Sequence, residues 1–246
     1  MDVDTVGRFL MAHLGFDPRG GLSAFDWLAT PTQAFAEVTG GEVFADPRGE
    51  LASVRTALAW YPDDLWRYVL ACQWHRIGQE EPFVGRAGEV GDELGSTVIA
   101  ARLVRDTMRL HMLYERRWPP YSKWLGSAFA ANTSAEVLQW VGAAVAAPGW
   151  PARERNLVSA WSALGDHHNG LGLTDPIDTM PRTFFDRPFQ VIAADRFAKA
   201  LRASISDPAV ESLPAVGAVD QFVDSTDALS PPVARALMRG VLGDTA

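Results

Sequence analysis

The chain has 246 residues, of which 48% are hydrophobic and 21% are charged, and this composition is typical of a folded globular protein. The formal net charge of −8 excludes a general affinity for nucleic acid or anionic membranes, although a local basic stripe could still bind one phosphate or carboxylate. Cys72 is the single cysteine, so no internal disulfide framework exists, and its apolar helical setting indicates a core residue.

The N-terminal residues 1–60 mix short helical and extended patterns. Pro31 begins a predicted helix, and residues 43–45 follow two glycines as a short strand that ends at a DPRG turn. The sequence therefore predicts a small β-element near residues 40–60. The first residues are acidic, without a basic segment before a long apolar run, and no apolar window approaches the roughly 20 residues of a membrane span. We therefore expect a cytoplasmic protein without a membrane partner.

Helical periodicity dominates from residue 61 onward. Apolar residues recur at three- and four-residue spacing in the two longest predicted helices, 63–79 and 93–117. Further helices are predicted over 123–131, 135–147, 151–167 and 193–205, with a short one within 213–229 and a terminal one from Pro231, while residues 182–191 are compact and partly extended. We predict a mainly α fold, a helical bundle over residues 61–246 with the mixed α/β segment 1–60 packed on it as one continuous domain.

The segment from Gln79 to Phe129 contains many charged side chains among apolar and aromatic residues. Charges in such a setting must be paired or used. We predict a polar pocket here in which the cations hold an anionic ligand and a partly buried carboxyl moves a proton. The candidate catalytic residues are Glu80, Glu81 and His168, and the candidate ligand-binding residues are Arg86, Arg102, Arg109, Tyr121 and Lys123.

Each of these assignments has a structural alternative. Lys123 lies one residue into a helix after a rigid proline turn, where it could bind a phosphate or carboxylate or instead pair with a nearby glutamate. His168 could interact with the negative end of its helix, or act as a general base oriented by Asp166 or Asn169. His111 and Glu115 stand four residues apart, but no second pair at helical spacing completes a metal set, so no metal is predicted.

The strings QEEPFVGR, GDELGS, RLVRDTMRL, ERRWPPYSKWLGSAF, HNGLGL, DRPFQV and VDQFVDSTD together resemble bacterial proteins grouped as the domain of unknown function DUF4037, over essentially the whole chain. This resemblance implies a relationship with nucleotidyltransferases. The chain would correspond to the C-terminal helical half and the tail end of the palm from about Trp27 onward, without the catalytic palm strand and its paired aspartates. The segment PPYSKWL is also similar to a motif of aminoglycoside adenylyltransferases whose lysine faces the nucleotide, which implies a phosphate-binding role for Lys123.

The leading hypothesis is a truncated relative that binds a small anionic metabolite or nucleotide in the bundle and works as a specialised biosynthetic enzyme by acid/base chemistry. An alternative is a noncatalytic binding or dimerisation module that complements a separate nucleotidyltransferase palm. A third is a structural bundle whose charges form an internal ion-pair lattice. The sequence names no cofactor and leaves a homodimer open, and we expect no nucleotidyl transfer by this chain alone.

Overall fold

The computed structural model describes residues 5–243, without the side chains of residues 234–236. It is mainly helical, which confirms the predicted fold class. The α-helices are α1 (Val6–Leu14), α2 (Ala24–Ala29), α3 (Thr32–Thr39), α4 (Glu50–Ala57), α5 (Asp63–Glu80), α6 (Phe83–Glu89), α7 (Glu93–Tyr114), α8 (Ser122–Ala130), α9 (Ala135–Ala146), α10 (Trp150–Leu171), α11 (Asp195–Ala203), α12 (Pro208–Glu211), α13 (Val219–Phe222), α14 (Thr226–Leu229) and α15 (Pro232–Met238). Short 3₁₀ turns occupy Pro18–Gly20 and Arg239–Leu242. None of these helices is long and apolar enough to cross a membrane.

The helix α5 lies at the centre of the bundle and packs against α7 and α11. It begins after Pro62 with two aspartates in its first turn, where acidic side chains stabilise the positive end of the helix dipole. Its buried residues, which include Tyr68 and Trp74, point to several sides, because neighbouring elements cover most of its surface. The helix α7 starts with a side-chain cap, in which Asp92 accepts a hydrogen bond from the backbone N–H of Gly95 (2.7 Å).

A cluster of aromatic side chains joins the first sixty residues to the bundle. Its members are Trp27, Phe35, Trp60, Tyr61 and Trp118. The ring of Trp118, in the segment between α7 and α8, lies 4.7 Å from the rings of both Phe35 and Tyr61. Aromatic burial of this kind is a large source of packing energy. It fixes the segment that leads into α8 against α3.

The predicted β-element near residues 40–60 is wrong. The described residues form two strands, β1 (Arg182–Thr183) and β2 (Gln190–Val191), which pair antiparallel in the later segment predicted to be partly extended. Phe44 is 93% exposed, so the apolar pattern at residues 43–45 does not reflect burial. The loop is held by Arg55 of α4, whose guanidinium donates hydrogen bonds to the carbonyls of Val38 (2.9 Å) and Gly41 (3.1 Å). These bonds replace a strand ladder there.

Replacing Trp74 by alanine should lower the free energy of unfolding by about 3–5 kcal/mol, because the side chain is fully buried, stacks on Phe197 and donates a hydrogen bond to Tyr114. The matched control is Trp124→Ala, which removes a side chain that is 52% exposed and should cost less than about 0.5 kcal/mol. Urea denaturation followed by circular dichroism measures both values. Equal losses would contradict the assigned core.

Candidate functional site

A row of charged side chains on α7 faces α5 and the C-terminal segment. Arg102 pairs with Glu80, and Asp106 lies 3.4 Å from Arg76 of α5. Arg105 forms an ion pair with Asp224 at 2.7 Å. These contacts have the character of an internal ion-pair lattice.

Arg109 is one turn further along α7 and has no such partner. It is only 7% exposed, its Nη1 atom is buried, and no group among residues 5–243 accepts a hydrogen bond from it or pairs with it. Burial lowers the pKa of the guanidinium, while the charge of nearby Asp220 opposes that shift. Leaving a buried charge without a partner is energetically costly. A further interaction is therefore required to stabilise the charged Arg109 side chain at this position.

The Arg109 side chain lines a cavity of about 560 Å³ between α3, the start of α8 and the segment from α13 to Ser230. A second, much smaller space behind it also contacts Arg109 and Asp220. The cavity is large enough for a small ligand. Of the side chains predicted to bind a ligand, Arg109, Tyr121 and Lys123 lie together around it.

The start of α8 is held at the cavity by contacts from α3. The Thr32 hydroxyl donates a hydrogen bond to the Pro119 carbonyl (2.6 Å), and the Tyr121 backbone N–H donates to Gln33 Oε1 (3.2 Å). Tyr121, the residue before α8, makes no side-chain hydrogen bond to the first N–H groups of this helix. Tyr121, Ser122 and Lys123 line the cavity, so these N–H groups lie beside it. Such a terminus favours negative charge.

Lys123 is exposed in the first turn of α8, with its Nζ atom 5.0 Å from the centre of the Trp124 ring. It makes no ion pair with any carboxylate of the described residues. The glutamates that could have bound it are otherwise occupied: Glu80 pairs with Arg102, and Glu115 lies 3.2 Å from His167. The lysine is thus available to a ligand in the cavity.

Three acidic residues of the cavity, Glu37, Asp220 and Asp224, are absent from the set predicted from the sequence. Asp220 accepts a hydrogen bond from the Thr32 N–H (2.8 Å), which caps α3. Burial raises the pKa of the Asp220 carboxyl, and the Thr32 N–H and the Arg109 charge oppose this effect. The available signal was VDQFVDSTD, in which these two aspartates stand four residues apart around a short helix.

The other predicted residues do not line this cavity, so the expected single pocket is not formed. Glu80 pairs with Arg102, which precedes Arg109 by seven positions on α7. This spacing places the Arg102 backbone about 10 Å from that of Arg109 along the helix axis, toward the start of α7. Arg86 is exposed, and its guanidinium carbon lies 5.5 Å from the centre of the Phe83 ring. The spacing along α7 placed the arginines on one face, but that face extends past several different neighbours.

Glu81 is buried away from the cavity and holds the backbone after β2. Its two carboxylate oxygens accept hydrogen bonds from the N–H groups of Ile192 and Ala194, each at 3.0 Å. Between them Ala193 adopts a left-handed φ of 56°, a conformation that costs energy for a residue with a Cβ atom. Burial raises the pKa of Glu81 to about 7, although the N–H groups oppose the shift. The carboxyl thus fixes a strained turn.

His168 is also buried and belongs to a chain of hydrogen bonds within the core. Trp74 donates to the Tyr114 hydroxyl, which donates to His168 Nδ1 (3.0 Å), and Nε2 of the same ring donates to the Thr174 hydroxyl (2.8 Å). Burial lowers the pKa of His168 to about 4, so the ring is neutral at pH 7. It therefore offers no positive charge to the end of α10, which continues to Leu171.

No group of three or more His, Cys, Asp or Glu side chains within residues 5–243 is arranged to hold a metal ion. His111, the metal candidate of α7, contacts the Asn132 carbonyl through Nε2 (3.0 Å) and packs edge-on against Phe129. Cys72 is buried, and burial raises the pKa of its thiol to about 12. A thiolate is thus strongly disfavoured at neutral pH.

The free energy of unfolding should fall with rising pH as the Glu81 carboxyl loses its proton. Because its folded pKa of about 7 lies above the ordinary value of 4.5, its contribution is complete below pH 4.5 and is lost as the pH rises through 7. Between pH 5 and 8 the free energy of unfolding should decrease by up to about 3 kcal/mol relative to a Glu81→Gln variant. Other titrating groups are common to both proteins and cancel in this difference.

Urea denaturation at pH 5, 6, 7 and 8 measures that difference. Glu80→Gln is the matched control, since it makes the same chemical change at the neighbouring residue, whose carboxylate pairs with Arg102 and does not hold the backbone after β2. Parallel curves for the parent and Glu81→Gln would show that Glu81 does not titrate in this range.

Residues 27–125 match the family model described as domain of unknown function (DUF4037), while no curated protein and no solved structure matches the chain. The matched region covers less than half of the 246 residues, a narrower range than the motifs indicated. It includes α3, α5, α7 and the start of α8, and therefore the cationic side of the cavity. The resemblance to the DUF4037 family is thus confirmed over residues 27–125.

Proposed function

We propose that the cavity binds a small metabolite or nucleotide through an anionic group, either a phosphate or a carboxylate. The observation that carries this proposal is the unpartnered Arg109 guanidinium, which is buried at the wall of an accessible cavity. A bound anion would supply the missing partner through charge-assisted hydrogen bonds. Removing such an anion leaves the arginine in the costly state described above.

Two further features support an anion at this position. Lys123 provides a second positive charge at the same cavity, and the first turn of α8, which has no side-chain cap, also lines it. The combination of an arginine, a lysine and a helix N-terminus is a favourable environment for phosphate. Glu80, Glu81 and His168 do not line the cavity, and the proposal therefore concerns binding and assigns them no acid/base step.

A second candidate function is a noncatalytic module whose cavity is completed by a separate palm-bearing protein. The exposed rings of Tyr121 and Trp124 near the cavity favour it, since aromatic side chains are enriched at protein interfaces. The two functions differ in one property: the first requires that the isolated chain bind the anion by itself.

Arg109→Met should abolish binding of inorganic phosphate, pyrophosphate and AMP, or weaken it by at least about tenfold, because the buried cation contacts the anion directly. The melting temperature should stay equal or rise, since a buried unpaired charge is replaced by an apolar side chain. Isothermal titration calorimetry and thermal unfolding measure the two effects. The matched control is Arg102→Met, on the same helix but outside the cavity, which should bind like the parent protein.

Unchanged affinity in Arg109→Met would refute the anion site. If the unmodified protein binds none of the three anions at millimolar concentration, the module that requires a separate partner becomes the better explanation.

Lys123→Ala should leave the fold intact and weaken the same anions by about three- to tenfold, because an exposed ammonium contributes less than the buried guanidinium. The effect should shrink as salt is raised, as expected for a solvated charge. Lys199→Ala is the matched control, since Lys199 is the other lysine of the chain and lines a different cleft on α11. A large fall in melting temperature for Lys123→Ala alone would show that the lysine is structural.

A further inference from the structure

The cavity contains acidic side chains as well as cations. Three carboxylates line it, those of Glu37, Asp220 and Asp224. Asp224 is neutralised by Arg105 at 2.7 Å, and Glu37 contacts the Gln33 amide (2.9 Å) and the His13 ring (3.4 Å). These two carboxylates therefore already have polar partners inside the protein.

Asp220 is in a different position. One of its oxygens accepts the hydrogen bond from the Thr32 N–H, a neutral donor, and no cation of the described residues forms an ion pair with it. Arg109 is its nearest compensating charge, yet the two do not form an ion pair. The cavity thus presents an unpaired guanidinium and an unpaired carboxylate to the same enclosed space.

A cavity lined by both an unpaired cation and an unpaired carboxylate favours a ligand that carries both signs. A purely anionic ligand would satisfy Arg109 but would lie close to the Asp220 carboxylate, and this repulsion is strong in a poorly solvated site. An ammonium group on the ligand turns the same carboxylate into an attractive contact. Burial raises the pKa of Asp220, which is consistent with a carboxylate that lacks a cationic partner.

Building on the proposed function, we infer that the ligand is a small zwitterion whose phosphate or carboxylate contacts Arg109 and Lys123 and whose ammonium contacts Asp220. The two ends of the ligand would then neutralise the charges that the protein leaves unpaired. The other two carboxylates of the cavity are already paired, Asp224 with Arg105 and Glu37 with His13. Asp220 acts here in ligand selection, in addition to capping α3.

The test compares probes that differ only in the ammonium group. Phosphoethanolamine and ethyl phosphate form the phosphate pair, and β-alanine and propionate form the carboxylate pair. In calorimetric titrations of the unmodified protein at pH 7 and low salt, the zwitterion of at least one pair should bind at least about tenfold more tightly than its partner. This comparison does not depend on the folding of any variant.

Asp220→Asn should reduce that ratio to within about twofold and leave the affinity for the simple anion equal or improved, because asparagine can still accept the Thr32 hydrogen bond. Asp224→Asn is the matched control and should preserve the ratio, since Asp224 is already paired with Arg105. A ratio that persists in Asp220→Asn, or one abolished by Asp224→Asn alone, would overturn the assignment to Asp220.

The two levels of the proposal fail in different ways. If neither zwitterion binds more tightly than its partner, while ethyl phosphate or propionate binds through Arg109, the anion site stands and the zwitterion inference is wrong. If none of the four probes binds, and inorganic phosphate, pyrophosphate and AMP do not bind either, both are wrong.

Discussion

Thr32, the first residue of α3, joins the three segments that enclose the cavity. Its hydroxyl donates to the Pro119 carbonyl ahead of α8, and its backbone N–H donates to Asp220 in the C-terminal segment. Both bonds connect positions far apart in the chain, so they form only once the bundle and its C-terminal segment have come together. The geometry of the cavity depends on this residue and on the aromatic cluster, in which Trp118 ahead of α8 packs on Phe35 of α3.

The charges along α7 show how one helix face can serve two purposes. Asp106 and Arg105 find partners on α5 and on the C-terminal segment, so these side chains help to hold helices together. Arg109 lies in the same stripe but faces an open space. A lattice would have paired it as well. Its unpaired state is an energetic cost that packing alone does not require, and residues of this kind are commonly kept for binding.

Much of the fold follows from local sequence patterns. The predicted helices 63–79 and 93–117 agree closely with α5 and α7, because long amphipathic or apolar periodicity is a strong signal. The strand expected at residues 43–45 had only local propensity behind it, and no partner strand exists for it among the described residues. Strands depend on distant pairing, which a short apolar run does not reveal.

The candidate site was less predictable for the same reason. Arg109, Tyr121 and Lys123 belong to one continuous charged segment, and their helix positions bring them to one cavity. Glu81 and His168 looked equally suitable, but their partners lie at residues 192, 194 and 174, which no pattern near them indicated. Asp220 was missed because its partner is 188 positions away.

The cavity is divided along the chain: the cations Arg109 and Lys123 fall within the family match at residues 27–125, whereas Asp220 and Asp224 lie outside it. In the proposed site, substitutions in the C-terminal segment alone would change ligand preference without altering the cationic side chains.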